Sequence, residues 1–285
     1  FAMAWLFPAA EQQWAHSCCS ASSLESAFQG PVTAIEADIL MGTIESEHGE
    51  VPIMAHPPCR TSDLSFEDFW QRCLAEARHH LKLDFKDLRS LQLCLPTVQA
   101  SKCRLAAQGQ GVWINADILP GPNRREPCPI QAEDFMMAVK QWAPGVPLSL
   151  GWRVSLAGSD AYTADDVSRM LQVCDSLEAE RPEKSEKSLL VFAISARLAL
   201  RDPGPLLQLL EQKPLSQLLL WTGTGEPALH ASSCSKLSKS FPEDRVGMDC
   251  RVTESAWEAA SNGFKLTCLA CLARVGRLVP CLMCS

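Results

Sequence analysis

No stretch of this chain is dense in lysine or arginine, and the formal charge is −7. Nucleic acid is therefore a poor candidate ligand, and a small neutral-to-cationic molecule fits better. No apolar run approaches the roughly 18 residues that cross a bilayer, so no transmembrane segment is expected. Phe1 to Ala10 carries no basic region followed by a long apolar stretch, which excludes a recognisable secretory signal there. Because the chain begins with Phe1 rather than Met, a missing N-terminal piece is expected, with any signal or anchor it carried. No internal repeat is present, so the sequence does not read as a repeat array.

Cysteine is plentiful, with fourteen residues, many for a cytosolic protein, but their scattered spacing does not resemble a small disulfide scaffold. The compartment stays open on this evidence. Near the end, Cys268-x-x-Cys271 and Cys281-x-x-Cys284 look superficially like a four-thiolate zinc site. Only nine residues separate the pairs, short of the usual spacing of about 15–20, so structural or free cysteines are expected. With 47% apolar and 21% charged residues, the composition is that of a globular chain able to bury a large core. A length of 285 residues suits one large barrel or two small domains.

Short β-branched or alternating runs recur between amphipathic stretches, the rhythm of parallel strands joined by helices. Strands are predicted at Gln12–Ala15, Val32–Leu40, Leu81–Lys86, Gly111–Ile118, Pro147–Trp152, Leu189–Ala196, Ser216–Thr222 and Arg245–Val252. An extended run, Val51–His56, is expected to pair back as a hairpin on the second of them. Ser22-x-x-Glu25 has the form of a capping box. Ser65 precedes Phe66, Phe69, Trp70, Cys73, Leu74 and Ala77, an apolar stripe at helical spacing. The runs Met136, Met137, Val139 and Val167, Met170, Leu171, Cys174 read likewise as helix cores. Pro120-Gly121-Pro122-Asn123 predicts a loop after the fourth strand, and Glu178–Lys187 a charged surface connection.

Three strands carry a polar face. Residues two apart in a strand share a side, which groups Glu36 with Asp38, Lys82 with Asp84 and Lys86, and Asn115 with Asp117. If helices coat a barrel, the apolar faces point out to them and these polar faces converge on the axis. An antiparallel sheet with one wet face would alternate in the same way, but the intervening helices argue against it. His16 and His56 end strand-like runs beside the carboxylates, where imidazoles can act as general acid and base. His48, His79, His80 and His230 read as structural. Trp113 and Trp152 could line the site mouth or simply pack.

Several blocks resemble the menorin family: Trp14-Ala15-His16, Ile35-Glu36-Ala37-Asp38, Pro52-Ile53-Met54-Ala55-His56-Pro57-Pro58, Lys82-Leu83-Asp84-Phe85-Lys86, Trp113 through Asn123, and Ser149-Leu150-Gly151-Trp152. They cover about residues 12 to 225 in order. That family more distantly resembles the glycerophosphodiester phosphodiesterase barrel. The resemblance implies an α/β fold, a (β/α)8 TIM-like barrel of the phospholipase-C-like phosphodiesterase type over 1–253. Residues 254–285 would then be an atypical cysteine-rich tail, disordered or from an altered gene model. It further implies His16 and His56 as acid/base residues, and Glu36, Asp38 and Asp84 as ligands of Ca²⁺ or Mg²⁺. Lys86 corresponds to a phosphate-facing cation, with Asn115, Asp117 and Trp152 around it. Trp221-Thr222 resembles the pair that ends the seventh strand of those enzymes.

The sequence departs from the phosphodiesterases where Ser17-Cys18 replaces Arg-Gly and Pro57 replaces Asp. Two functions follow from the resemblance. One is a metal-dependent phosphodiesterase acting on a phosphodiester or a lipid-derived small molecule. The other is a non-catalytic recognition module with extracellular protein partners and a relic pocket. The family's associations point to an extracellular or membrane-associated location, with the cytoplasm left open.

Overall fold

The computed structural model describes residues 7–45, 49–124, 126–155, 157–179 and 190–253. The tail with its cysteine pairs, and most of the charged 178–187 connection, lie outside them. The strands are β1 (Trp14–Ala15), β2 (Ala34–Ile44), β3 (Val51–Met54), β4 (Thr61–Ser62), β5 (His80–Phe85), β6 (Val112–Pro120), β7 (Leu148–Arg153), β8 (Leu190–Ser195), β9 (Gln217–Trp221) and β10 (Val246–Asp249). The helices are α1 (Ala21–Gln29), α2 (Phe66–Glu76), α3 (Leu88–Ala100), α4 (Lys102–Gln108), α5 (Ala132–Trp142), α6 (Ala164–Ala179), α7 (Ala196–Ala199), α8 (Gly204–Gln212) and α9 (Ala231–Ser240).

Eight strands pair side by side in the order β1-β2-β5-β6-β7-β8-β9-β10, every pairing parallel, which makes a nearly closed α/β barrel of the TIM type. All eight lie where alternation placed them. β3 pairs antiparallel with β2 as the expected hairpin, with Ile39 opposite Met54. The first strand is shorter than predicted, because only Trp14 and Ala15 find register with Ala34 and Ile35. β6 continues through Pro120, so the loop starts one residue later than the prolines suggest. Pro120 still pairs with Arg153 in register, a tolerable place for proline because the strand ends there.

Helix starts show which sequence signals were used. Ser65 caps α2 by accepting from the Asp68 N–H at 3.0 Å, and Phe66, Phe69, Trp70, Cys73 and Leu74 bury the predicted stripe. In α1 the cap is Ser20, not Ser22. Ser20 accepts from the Ser23 N–H while Ser23 Oγ answers the Ser20 N–H at 3.0 Å, a reciprocal box two residues upstream of the predicted one. Val139 of α5 is buried, whereas Met137 faces solvent. Among the described residues no helix is long and apolar enough to cross a membrane.

The barrel interior is layered. At its N-terminal end Phe7, Ala9, Trp14, Ala34, Trp113, Val191 and Leu219 form an apolar plug. Phe7 stacks on Trp113 at 4.1 Å and on His80 at 4.2 Å. The backbone at Ala9 approaches β10 so closely that a Cβ on Gly247 would meet the Ala9 carbonyl oxygen at 2.2 Å, so only glycine fits. Trp113 is therefore part of the floor and does not line the mouth.

His80 shows how this floor depends on pH. The Gly111 N–H donates to His80 Nδ1 at 2.9 Å, which needs a neutral ring. Burial, with His79 beside it, lowers the His80 pKa to about 4. Unfolded histidine titrates near 6.5, so between those values the unfolded chain binds the extra proton and stability falls as pH falls. From pH 7 to 5 the loss attributable to His80 is up to about 2 kcal/mol, less what solvent screening removes. Urea unfolding at pH 5, 6 and 7 should show this slope in the wild type and a flatter one in His80→Gln.

Candidate metal centre at the barrel mouth

Strand parity carries the polar residues inward. Ile35, Ala37, Ile39, Leu81, Leu83, Phe85, Ile114, Ala116 and Ile118 all belong to the apolar layer under the helices. Glu36, Asp38, Lys82, Asp84 and Asn115 alternate with them and are buried inside the barrel. Register aligns Glu36 with Lys82, Asp38 with Asp84, and Asp84 with Asn115. One contiguous cluster results, on the first three full-length strands.

Lys86 Nζ bridges Asp38 Oδ1 at 2.8 Å and Asp84 Oδ2 at 2.9 Å. Lys82 Nζ lies 3.5 Å from Glu36 Oε1 and 3.4 Å from Asp84 Oδ2. The Ser17 N–H donates to Glu36 Oε2 at 2.7 Å from a loop in which Ser17 has φ 57. His16 Nδ1 is 2.7 Å from Asp249 Oδ2 and 3.4 Å from Glu36 Oε2. Cys19 Sγ is 3.6 Å from Asp38 Oδ2.

Burial opposes charge on His16, Asp38, Lys82, Asp84, Lys86 and Asp117, and the neighbours decide the outcome. For His16, Asp249 and Glu36 overcome burial and push the pKa up to about 10, so the ring is an imidazolium at neutral pH. For Asp84, Lys86, Lys82 and the Asn115 amide overcome it and hold the carboxyl well below the usual range. Asp38 stays raised, because burial together with Glu36 and Asp84 outweighs Lys86. Asp117 is raised to about 7 by burial and by Asp84. Lys82 and Lys86 are both raised, the carboxylates overcoming burial.

Five acidic side chains (Glu36, Asp38, Asp84, Asp117 and Asp249) thus face His16, Lys82 and Lys86, and burial makes Asp38 and Asp117 the readier of them to hold a proton. Among the described residues two groups bring ligand atoms within 4.8 Å of one another: Glu36, Asp38 and Asp84; and His16, Glu36 and Asp249. In the first, Asp84 Oδ1 is buried with no hydrogen-bond partner. A hard divalent cation fits that oxygen-rich set, and the acidic cluster can hold a metal ion.

The other candidates sit apart. His56 follows β3, whose neighbour Ala55 donates its N–H to the Asp38 carbonyl at 3.0 Å, so the residue reaches the rim. Its ring is exposed, with Nδ1 on the Pro57 carbonyl at 2.6 Å. Trp152 faces away from the cluster: it is fully buried in the outer apolar layer, edge-on to Tyr162 at 5.5 Å. Its inward neighbour is Gly151, where a Cβ would meet Asp117 Oδ1 at 2.2 Å. Asp249 and Cys19 were not foreseen. Asp249 stands two residues after Gly247 on the last strand, and with glycine at that position no alternating polar face marks it.

Fold and site together define an α/β barrel with a carboxylate-rich centre at the C-terminal ends of its strands. Residues 9–254 match the model of the Menorin N-terminal domain. Protein FAM151B of Homo sapiens is 31% identical over 220 residues, covering 76% of this chain and 74% of the relative. The chain belongs to the menorin family.

Proposed function

We propose that the barrel mouth binds a divalent cation through Glu36, Asp38 and Asp84 and acts on a phosphodiester, such as a glycerophosphodiester or another lipid-derived small molecule. The observation that carries this reading is Asp84 Oδ1, a buried acceptor left without a partner inside a group of three carboxyl side chains whose oxygens converge. A bound cation supplies charge neutralisation to the phosphate oxygens. The chain's own residues supply the rest. Asp249 holds His16 by Nδ1, so the charged ring can give a proton from Nε2 to the leaving oxygen. His56, with Nδ1 on a carbonyl, leaves Nε2 to take the proton of an attacking water. Lys86 is the cation nearest to two of the three ligands and serves the phosphate once it leaves them. Where the phosphodiesterases have Arg-Gly, this chain spends the Ser17 N–H on Glu36, so a phosphate contact must come from elsewhere.

Calorimetry of Mg²⁺ and Ca²⁺ on the full chain tests the reading. Saturable binding is expected in the wild type and its loss in the Glu36→Ala, Asp38→Ala double variant. A folded wild type that binds neither ion overturns it. One observation favours the second reading, an extracellular or membrane-associated recognition module: the Lys86 ammonium already closes Asp38 and Asp84 with ordinary ion pairs. On that reading Glu36→Ala leaves partner binding intact.

A further inference from the structure

Asp84, Asn115 and Ser149 stand side by side in register on β5, β6 and β7. Asn115 and Ser149 are buried, and the Ser149 hydroxyl donates to Asn115 Oδ1 at 2.6 Å. A serine hydroxyl can donate or accept, so the acceptor-only carboxylate of Asp84 on the other side is what turns the amide oxygen toward Ser149, and the hydroxyl then holds it there. The Asn115 NH₂ is left on the side of Asp84, its register neighbour on β5. Bulk alone does not require a polar pair here, because the inward positions on the next strand are Val191 and Ala193. Two buried polar side chains at this level need a reason, since each costs desolvation unless satisfied.

We infer that Ser149 is a positioning residue for the metal carboxylate Asp84, acting through the amide of Asn115. The inference rests on the metal reading above. Ser149 holds the amide oxygen, the amide stands beside Asp84 on the β6 side, and Lys82 and Lys86 meet Asp84 Oδ2. Asp84 Oδ1 is thereby held as the free acceptor. Without the serine hydroxyl, the amide oxygen loses its donor and the amide loses its anchor beside Asp84. Outer-shell partners of metal ligands typically change ion affinity by about 10–100-fold.

The test is a double-variant cycle on the full chain, with Mg²⁺ or Ca²⁺ affinity read by calorimetry and thermal unfolding read in chelator. Ser149→Ala is expected to weaken the ion about tenfold with little change in chelator stability. Asn115→Leu should weaken it at least as much, and adding Ser149→Ala to Asn115→Leu should cost nothing further. That lack of additivity is what a merely structural serine would not produce. Ser149→Thr, which keeps the hydroxyl, should restore most of the affinity and serves as the folded comparison should Ser149→Ala not fold. Equal ion affinity in wild type and Ser149→Ala overturns this inference alone, and so does a full tenfold loss on top of Asn115→Leu. A wild type that binds no ion overturns the metal reading and this inference with it.

Discussion

Lys86→Met is expected to lose about 3–5 kcal/mol of folding stability in metal-free solution, and to regain more of it from a divalent cation than the wild type gains. Lys86 Nζ sits within 2.9 Å of two carboxylates, Asp38 and Asp84, that are almost wholly withdrawn from water. Removing one partner of a buried pair leaves charge uncompensated, and that residue of charge, more than the lost contact, sets the cost. Lys82 remains, but at 3.4 Å from Asp84 and with Glu36 to serve as well. An added cation binds only the native arrangement and so stabilises it by mass action, about 2.7 kcal/mol at a hundredfold excess over its dissociation constant. In the wild type the same ion competes with an ammonium already in place, and its gain is smaller. Urea unfolding with chelator and with Mg²⁺ or Ca²⁺, on both proteins, gives the four numbers. A variant as stable as the wild type would show that Lys86 does not hold the carboxylates; a variant that loses stability and gains nothing from either ion would favour the relic-pocket reading.

The cluster was legible in sequence where the alternation had contrast. Ile35-Glu36-Ala37-Asp38-Ile39 and Leu81 through Lys86 switch between apolar and charged at every step, so parity alone assigns each residue to a face. Contrast fails in Ser149-Leu150-Gly151-Trp152. There the inward residues are small, and Trp152 turns out to share its face with Leu148 and Leu150, under the helices. It fails again on β10, where Gly247 carries no mark of its side and Asp249 stands alone. His56 illustrates a different limit. Its position at the end of the hairpin was readable, but the direction of a ring on a loop depends on the carbonyl it finds, here that of Pro57, and no periodicity encodes that. The floor was unreadable for a related reason: Phe7 precedes the first strand and reaches His80 and Trp113 only because the barrel has curled round to meet it.

Curling round also leaves a seam in the barrel wall. The chain of paired strands begins at β1 and ends at β10, and no described backbone ladder joins the two. β1 brings only Trp14 and Ala15 into register with its one neighbour. Across the gap, His16 Nδ1 meets Asp249 Oδ2 at 2.7 Å, from a carboxylate that is nearly inaccessible to solvent. Asp249→Ala is therefore expected to cost about 3–5 kcal/mol, because among the described residues it leaves the His16 imidazole only Glu36, at 3.4 Å, as a counterion. Asp249→Asn keeps an acceptor for the Nδ1 proton and should cost less, about 1–2 kcal/mol. The loss should be local before it is global: the β1 amides, with few bonds of their own, should exchange with solvent faster in both variants than those of β5 and β6. If urea unfolding places Asp249→Ala within about 0.5 kcal/mol of the wild type, the seam is closed by the Ala9 plug against Gly247 instead. A large loss has a consequence for chemistry, since Glu36 accepts from the Ser17 N–H beside this seam and also faces Lys82 in the metal cluster. The contact that closes the barrel would then be the same one that fixes the position of a metal ligand, and loosening the seam would weaken ion binding without touching Asp38 or Asp84.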